Sequence, residues 1–393
     1  MRIYVVGGAI RDELLGLPVQ DRDYVVVGAT PEELVALGYR PVGADFPVFL
    51  HPVTHAEYAL ARTERKTAPG YKGFVFHAAP DVTLEQDLAR RDLTVNAMAR
   101  EARPDGSTAP DAPLVDPFGG ERDIVARMLR HVGPAFAEDP VRILRVARFA
   151  AKFADCFDFS VAPATMTLMR RMADAGEVDV LVPERVWQEL ARGLMESRPS
   201  RMVEVLREAG ALRRILPELD ARIAPTSSAV APGAAALEAA DAAAARGFPL
   251  PVRFAALMHS LDDDPAHAAE GVKSVCARLR IPADCRDLAA IVARRHAEVT
   301  RAAQLDAPAR LELIEGSDAL RRPDRFAEIL DACTAIAAGR IGAYPQKALL
   351  LAVNQLLRGL AYTDIVESGG DIPARIRERR LQALAQFEFP SRP

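Results

Sequence analysis

The chain begins with the stretch I-Y-V-V-G-G-A-I-R-D-E-L-L-G-L-P-V-Q-D-R-D-Y-V-V-V, residues 3–27, from which its fold is inferred. The four apolar residues before Gly7 predict a buried strand, and the Gly-Gly pair permits a sharp turn with close backbone approach. A helix is predicted from Ala9 to Leu15, and its N-terminal amides would favour a phosphate group over the turn. The β-branched and aromatic run Tyr24–Val27 predicts a second strand.

Two aspartates, Asp21 and Asp23, stand at the start of the second predicted strand. Because side chains alternate along a strand, both carboxylates are expected on one face and Arg22 on the other. Neighbouring carboxylates repel each other unless a cation lies between them, and Mg²⁺ accepts one or two carboxylates together with substrate phosphates. An Asp-x-Asp pair alone is common in surface turns, and so is a Gly-Gly turn. Their combination predicts a metal-dependent site for nucleotidyl transfer.

Composition gives no sign of a secreted, membrane-bound or strongly basic protein. Half of the 393 residues are hydrophobic and 26% are charged, which is ordinary for a globular chain of two or three domains. The net charge of −4 means that a polyanion would have to be held by a local basic face. A strand is predicted from residue 3 and no apolar run reaches transmembrane length, so we expect a cytoplasmic protein without a membrane anchor. The cysteines, which indicate neither a zinc site nor a disulfide framework, are Cys156, Cys276, Cys285 and Cys333.

Strand signals are confined to about the first 130 residues, and helical periodicity dominates from Glu121 onward. The capping box at Thr30 predicts a helix over residues 32–37. Further strands are predicted at Phe46–Leu50 and Glu57–Ala61. Residues 63–80, which are rich in glycine, proline and basic side chains, are interpreted as a mobile loop. The sequence therefore predicts an α+β fold with its strands at the N-terminal end.

Two later segments carry polar side chains where the flanking pattern is apolar. In the segment D-L-A-R-R-D-L-T-V-N-A-M-A, residues 87–99, Arg91 suits a triphosphate oxygen, although a solvated charge cluster is an alternative. A helix is predicted to begin with Asp139 as N-cap and Pro140 at its first position, and to run through Lys152. One broad face of that helix is basic, for which a solvated surface is the ordinary explanation; its residues are Arg142, Arg145, Arg148 and Lys152.

The Gly-Gly and Asp-x-Asp head, the R-R-D-L-T-V-N-A segment and the E-D-P-V-R segment occur in that order. Together they resemble a class II tRNA nucleotidyltransferase, the bacterial CCA-adding enzyme of the polymerase-β superfamily, over residues 1 to about 220. The resemblance implies a small α/β head of polymerase-β type followed by an elongated all-α neck, body and tail. It also implies Mg²⁺ at Asp21 and Asp23, with Glu57 as a candidate third carboxylate. The residues that it implies for contact with ATP or CTP are Gly8, Arg11, Arg91, Asp139, Arg142 and Arg145.

The resemblance also suggests four domains. These are a catalytic head over residues 1–130, a helical neck and body with the nucleotide-selecting helix over 131–220, a degenerate HD-type helical region over 221–320 and a helical tail over 321–393.

The choice of base follows from hydrogen bonding. Cytosine and adenine each present an amino donor beside a ring-nitrogen acceptor, whereas guanine and uracil present the reverse arrangement. An acceptor beside a donor, such as Asp139 with Arg142 three residues later, would fit cytosine and adenine and reject the other two bases. An unmatched buried polar group costs about 1–3 kcal/mol, which is enough to discriminate. We therefore predict that Asp139 and Arg142 select CTP and ATP.

The predicted activity is template-independent addition and repair of the 3′-terminal CCA of tRNA. The tRNA 3′-hydroxyl would attack the α-phosphate of CTP or ATP in line, with two metal ions, and pyrophosphate would leave. A full-length segment at residues 63–80 favours complete CCA addition over addition of CC alone. The sequence indicates neither the oligomeric state nor the residues that contact tRNA.

Relatives of this type often carry HD-type metal ligands in the C-terminal half. Here His259 is present, but Ser260 stands where an aspartate is expected, and the segment over residues 254–271 is short. A neutral hydroxyl is a poor replacement for a bridging carboxylate, so we predict that phosphatase and phosphodiesterase activity is lost. The alternative is that residues 262–264, all aspartates, supply substitute ligands.

Two other functions remain open from the sequence. A bacterial poly(A) polymerase shares the head chemistry but usually carries a strongly basic extension, whereas the tail over residues 374–393 is only mildly basic. A non-catalytic RNA- or nucleotide-binding relative is disfavoured, because a pure binder has no use for two acids on one face.

Overall fold

The computed structural model describes residues 1–42, 48–66, 74–109, 111–223, 232–338, 344–368 and 370–388. It divides into two units. The first comprises Met1–Val186 with Glu204–Ile215, and the second comprises Trp187–Val203 with Leu216–Pro393. The four-domain division inferred from the sequence stays a prediction.

The first unit contains a mixed sheet. The strands are β1 (Arg2–Val6), β2 (Asp23–Val27), β3 (Arg40–Val42), β4 (Val48–Leu50), β5 (Glu57–Leu60), β6 (Thr63–Lys66), β7 (Phe74–His77), β8 (Ala99–Ala102), β9 (Leu114–Val115), β10 (Met128–Leu129) and β11 (Ser160–Val161). Seven of these form a sheet in the order β3-β4-β5-β2-β1-β8-β9. Strands β2 and β5 run parallel, and the other neighbouring strands of this sheet run antiparallel.

Strand β1 lies near the middle of this sheet and is covered on both faces. Its residues Ile3, Tyr4, Val5 and Val6 are all buried, which explains why they form a continuous apolar run instead of an alternating one. On one face Tyr4 and Val6 pack in a cluster with Leu88. The apolar run that opens the chain is therefore the core of the sheet.

The helices of the first unit follow the strands closely at the head and dominate after residue 130. They are α1 (Gly8–Leu14), α2 (Pro31–Ala36), α3 (Leu84–Ala89), α4 (Gly120–Val125), α5 (Val141–Lys152), α6 (Ala154–Phe157), α7 (Pro163–Asp174) and α10 (Leu212–Ile215). Helices α8 (Pro183–Leu194) and α9 (Pro199–Glu208) each contain residues of both units. Short 3-10 turns lie at Thr94–Asn96, Pro134–Glu138 and Glu177–Val180.

Within its described residues, the second unit contains helices and their connections but no strand. Its remaining helices are α11 (Pro217–Ile223), α12 (Pro232–Ala245), α13 (Leu250–Met258), α14 (Pro265–Leu279), α15 (Ala283–Thr300), α16 (Ala307–Gly316), α17 (Pro323–Ala337), α18 (Gln346–Arg358), α19 (Thr363–Ser368) and α20 (Ile372–Ala385). A 3-10 turn lies at Ala302–Gln304. Arg253 is buried among them, and its guanidinium donates to the carbonyls of Leu194, Glu196 and Phe248. Within the described ranges, no helix is both long and apolar enough to cross a membrane.

The α+β class predicted from the sequence is confirmed, and so is the capping box of α2, in which Thr30 and Glu33 bond reciprocally. The loop predicted over residues 63–80 is wrong at its two ends. Thr63 pairs with His77 and Lys66 with Phe74, so β6 and β7 form an antiparallel hairpin. The β-branched and aromatic residues at Phe74–His77 outweighed the neighbouring glycines and prolines. Residues 67–73 lie outside the described residues.

The start of α5 also differs from its prediction. The helix begins at Val141, Pro140 is its N-cap, and Asp139 has extended backbone one residue earlier. The Asp139 carboxylate still accepts a hydrogen bond from the Val141 amide at 3.2 Å. The predicted end at Lys152 is confirmed.

Candidate active site

The Gly-Gly turn and the acidic pair lie at the same end of two paired strands. In the antiparallel register of β1 and β2, Val6 stands opposite Asp23, so the turn that follows Val6 lies beside the first residue of β2. Gly7 has a φ of 72°, in the left-handed region that favours glycine, and it caps α1. Asp21 and Asp23 are both exposed. The strand begins at Asp23, so the predicted alternation of side chains does not extend to Asp21.

Glu57, the candidate third carboxylate, is the first residue of β5, which runs parallel to β2. Tyr24 pairs with Tyr58, and Asp23 and Glu57 each precede a member of that pair by one residue. The two acids therefore start neighbouring strands. Across the part of the chain that the structure describes, no three His, Cys, Asp or Glu side chains are grouped as metal ligands. Two exposed carboxylates suit Mg²⁺, since this ion takes its other ligands from water and substrate phosphates.

Arg91 lies against the Gly-Gly turn. A Cβ atom placed on Gly7 would lie 2.7 Å from Arg91 Nη1, and the φ of 72° at this position favours glycine. The guanidinium pairs with Asp87 at 3.3 Å, and its Nη1 donates to the carbonyl of Asn96 at 3.4 Å. Its Nε is buried and makes no hydrogen bond to the described residues. An orphaned donor beside the turn fits a site for an anionic ligand.

Arg11 lies in the protein interior, with 4% of its surface exposed. Its guanidinium pairs with Asp12 at 2.7 Å and donates to the side-chain oxygen of Asn96. The same group lies over the rings of Phe149 and Phe153, at 5.0 and 5.2 Å from their centroids. The structure therefore places this predicted nucleotide contact in a cation–π and ion-pair network within the first unit.

Asp92 is buried and joins two segments of the site. One oxygen accepts from the Asn96 amide at 3.0 Å, and the other accepts from Arg145 Nε at 2.8 Å. Burial alone would raise the pKa of the Asp92 carboxyl, but Arg145, the Asn96 amide and Arg142 outweigh it and hold the pKa below its ordinary range. A solvated charge cluster, the alternative for this segment, does not describe Asp92, Thr94 or Asn96, because all three are buried.

Asp139 and Arg142, the predicted base-selecting pair, are each held by other groups. Arg142 is buried, and it donates to the main-chain carbonyls of Ala135 at 2.8 Å and Arg90 at 2.6 Å. Asp139 pairs with Arg185 through both of its carboxylate oxygens, at 3.2 and 2.7 Å. The main chain of the two residues is linked by a hydrogen bond from the Arg142 amide to the Asp139 carbonyl.

The basic face predicted on α5 is partly covered. Arg145, Arg148 and Lys152 are half-buried, whereas Arg142 is buried. Arg148 lies over the Phe149 ring at 4.5 Å, and Lys152 pairs with Asp12 at 3.3 Å. The face is therefore tied to α1 and to aromatic side chains and is not an ordinary solvated surface.

Two family models match the chain. The Poly A polymerase head domain matches residues 3–130, and the probable RNA and SrmB-binding site of polymerase A matches residues 158–223. A multifunctional CCA protein of Paraburkholderia phytofirmans is 58% identical, with 96% of each chain covered. The corresponding protein of Burkholderia multivorans is 57% identical, with 98% of each covered. The chain belongs to the CCA-adding nucleotidyltransferase family. The resemblance recognised in the sequence is therefore confirmed.

Solved structures of this family share the fold. The CCA-adding enzyme of Bacillus stearothermophilus in complex with CTP superposes with a TM-score of 0.68 at 22% identity, over 97% of this chain and 88% of that one. The enzyme of Thermotoga maritima complexed with tRNA_CCA gives a TM-score of 0.59, also at 22% identity, over 99% and 88%.

The segment predicted to be a degenerate HD-type region lies at the end of α13. His259 is buried, its Nδ1 lies 2.8 Å from the carbonyl of Ala256, and its ring meets that of His296 edge-on at 5.0 Å. The carbonyl of Ser260 accepts from Arg222 Nε at 2.9 Å. Two histidines are thus brought together without a carboxylate at position 260.

The three aspartates that follow are engaged in local structure. Asp263 pairs with Arg222, which lowers the pKa of the Asp263 carboxyl. Asp264 caps α14 by accepting from the amides of Ala266 and His267, and these bonds lower the pKa of the Asp264 carboxyl. Asp262 accepts from the Asp264 amide at 2.9 Å. These contacts weigh against the alternative that residues 262–264 are substitute metal ligands.

Sequence reasoning missed three residues of these sites. Arg185 lies in the stretch P-E-R-V-W, residues 183–187, which carries no local signal for a contact with Asp139. Phe149 stands among the basic residues of α5, and this position was a signal for the cation–π contacts that its ring makes. His296 lies 37 positions after His259 and carries no local signal; the fold alone brings the two rings together.

We predict that the free energy of unfolding of Asp92→Asn falls less steeply with decreasing pH than that of the wild type. Because the Asp92 pKa is lowered from its ordinary value of 3.8, its contribution is fully present above that value and is lost as pH falls below it. The variant lacks this pH-dependent contribution. At neutral pH its free energy of unfolding should fall by about 3 kcal/mol, because Arg145 and Asn96 lose a charged partner. Urea unfolding between about pH 7 and pH 3 measures both effects.

The matched control is Asp111→Asn, at an exposed aspartate, which should follow the wild type at every pH. An Asp92→Asn variant with the wild-type slope would contradict the inferred burial of this charge.

Proposed function

We propose that this enzyme adds and repairs the 3′-terminal CCA of tRNA, using CTP and ATP and releasing pyrophosphate. The observation that carries the proposal is the Gly-Gly turn beside an exposed Asp-x-Asp pair at one end of β1 and β2, in a chain 57–58% identical to multifunctional CCA proteins over nearly its whole length. The partners are the tRNA 3′ end, CTP and ATP. Similar solved structures hold CTP, ATP and tRNA_CCA, which supports extending these partners to this chain. The site of action that suits a tRNA substrate is the cytoplasm.

The family uses divalent metal ions, and we infer Mg²⁺ in this enzyme. Asp21 and Asp23 are the residues that would hold it, because hard carboxylate oxygens are its preferred protein ligands. When bound, the ion supplies stabilisation of charge on the transferring phosphoryl group and on the pyrophosphate that leaves. Glu57 starts the neighbouring strand and stays a candidate for the third carboxylate.

The chain's own residues would position the triphosphate. Gly7 and Gly8 allow the backbone to approach the phosphates without a side chain in between. The positively charged guanidinium of Arg91 lies directly beside this turn, and its Nε makes no hydrogen bond to the described residues. Both features favour in-line attack by the tRNA 3′-hydroxyl, since most of the catalysis in phosphoryl transfer comes from positioning and charge compensation.

Base selection is assigned to Asp139 and Arg142. The Asp139 carboxylate only accepts hydrogen bonds and the Arg142 guanidinium only donates them, so the pair matches the amino group and ring nitrogen shared by cytosine and adenine. Both side chains lie at the start of α5, within three residues of each other. Uracil and guanine would leave both groups unmatched, at about 1–3 kcal/mol each.

We also infer that the HD-type segment has lost its phosphohydrolase activity. The support is Ser260 at the position of a bridging carboxylate, together with the engagement of Asp263 and Asp264 in an ion pair and a helix cap.

The first prediction concerns the two acids. Asp21→Asn with Asp23→Asn keeps the shape of both side chains and deletes their charge, so CCA addition should fall by about 10³-fold or more. The assay is incorporation from CTP and ATP, with Mg²⁺, into a tRNA that lacks its 3′ end, read on a product gel. Asp111→Asn serves as the control, because it makes the same change of charge at another exposed aspartate. Undiminished turnover by the double variant would refute the metal role, and a long A-tail on the wild-type product would identify a poly(A) polymerase instead.

The second prediction concerns the selecting pair. Asp139→Ala should reduce the preference for CTP over UTP by about tenfold or more, because the acceptor for the cytosine amino group is gone. Single-nucleotide incorporation with each of the four triphosphates measures this preference. Equal incorporation profiles for the variant and the wild type would remove Asp139 from base selection.

The third prediction concerns the second unit. Purified enzyme supplied with Ni²⁺, Mn²⁺ or Mg²⁺ should not hydrolyse a 2′,3′-cyclic nucleotide above the rate without protein, since Ser260 provides no carboxylate. Metal-dependent hydrolysis that is lost in His259→Ala would show that the site survives.

A further inference from the structure

Arg185 is bonded to the carboxylate that the proposed function assigns to base selection. Its Nη1 donates to Asp139 Oδ1 at 3.2 Å and its Nη2 donates to Oδ2 at 2.7 Å, so the contact is a two-point fork. The side chains are 27% and 18% exposed, which places the pair between surface and interior. Arg185 lies in the first turn of α8, and Asp139 precedes α5. The pair therefore joins two segments that are 46 residues apart.

A two-point fork fixes the plane of a carboxylate, whereas a single bond leaves it free to rotate. Asp139 needs such a constraint, because it precedes α5 on extended backbone and its own contact to the Val141 amide is a single bond at 3.2 Å. A carboxylate has about four acceptor positions on its two oxygens, so the fork leaves acceptor capacity for a donor from a base. The pairing is therefore compatible with reading an amino group.

The other member of the selecting pair is held in a different way. Arg142 donates to the main-chain carbonyls of Ala135 and Arg90, which set the direction of its guanidinium. Both groups are thus oriented before any nucleotide arrives, and Arg185 does for the acceptor what two carbonyls do for the donor. Preorganised polar groups discriminate better than mobile ones, because a mobile group turns to suit the wrong base.

We propose that Arg185 is a positioning residue for nucleotide selection, which orients the Asp139 carboxylate toward the amino group of cytosine or adenine. This inference rests on the proposed function. Arg185 acts through Asp139 and does not itself touch the reacting atoms.

The test compares Arg185→Gln and Arg185→Lys in single-nucleotide incorporation with CTP and with UTP. Arg185→Gln should lower the CTP-to-UTP ratio of kcat/KM by about tenfold, mainly through a higher KM for CTP, because the carboxylate is no longer held. Arg185→Lys should recover part of the ratio, since an ammonium keeps the charge but lacks the planar fork. The ratio is taken on one preparation, so a partly unfolded sample lowers both terms equally and does not change it.

Two further variants test whether the effect is specific to Arg185 and whether it acts through Asp139. Arg170→Gln removes a comparable arginine, which pairs with Glu208 at 2.9 Å away from this site, and it should leave the ratio at the wild-type value. Asp139→Ala should already have lost the selectivity, so adding Arg185→Gln to it should not change the ratio further.

An unchanged ratio in Arg185→Gln, or additive effects in the double variant, would overturn the role of Arg185. Failure of the wild-type enzyme to add nucleotides to a truncated tRNA would instead refute the proposed function, so the two failures are distinguishable.

Discussion

The buried carboxylate of Asp92 connects segments of the first unit that contain predicted site residues. It accepts from Asn96 in the segment after α3 and from Arg145 on α5. Asn96 in turn accepts from Arg11 on α1, so α1, α5 and the segment after α3 meet through one chain of polar contacts. A charge in this position is costly unless its partners are well placed, and breaking such a pair costs more than the pair contributes. The relative positions of these three segments are therefore tightly specified.

The same principle of paired charge applies beside the Gly-Gly turn. Asp87 is fully buried, and burial would raise the pKa of its carboxyl, but Arg90 and Arg91 outweigh it and lower that pKa. Arg91 thereby has a fixed anchor at one end of its guanidinium while it lies against Gly7. A cation that is anchored in this way costs little further entropy when an anion binds beside it.

The sequence predicted the head well, because its signals are local. The run before Gly7 and the capping box at Thr30 each depend on residues a few positions apart. It failed where a contact between distant segments decided the outcome. The hairpin of β6 and β7 needed the pairing of Thr63 with His77, while the two glycines and the proline between them indicated a loop. The fork between Arg185 and Asp139 was likewise invisible, because nothing in a linear pattern shows which acid an arginine will meet.

The carbonyl contacts of Arg142 bear on how nucleotide preference could change over evolutionary time. Main-chain carbonyls are present whichever amino acids occupy positions 90 and 135, so mutation at those codons leaves the acceptors for Arg142 in place. The Asp139 carboxylate, in contrast, is held by a side chain that a single codon change removes. On the proposed roles of Asp139 and Arg142 in base selection, drift toward other nucleotides should therefore begin with loss of the contacts that hold Asp139.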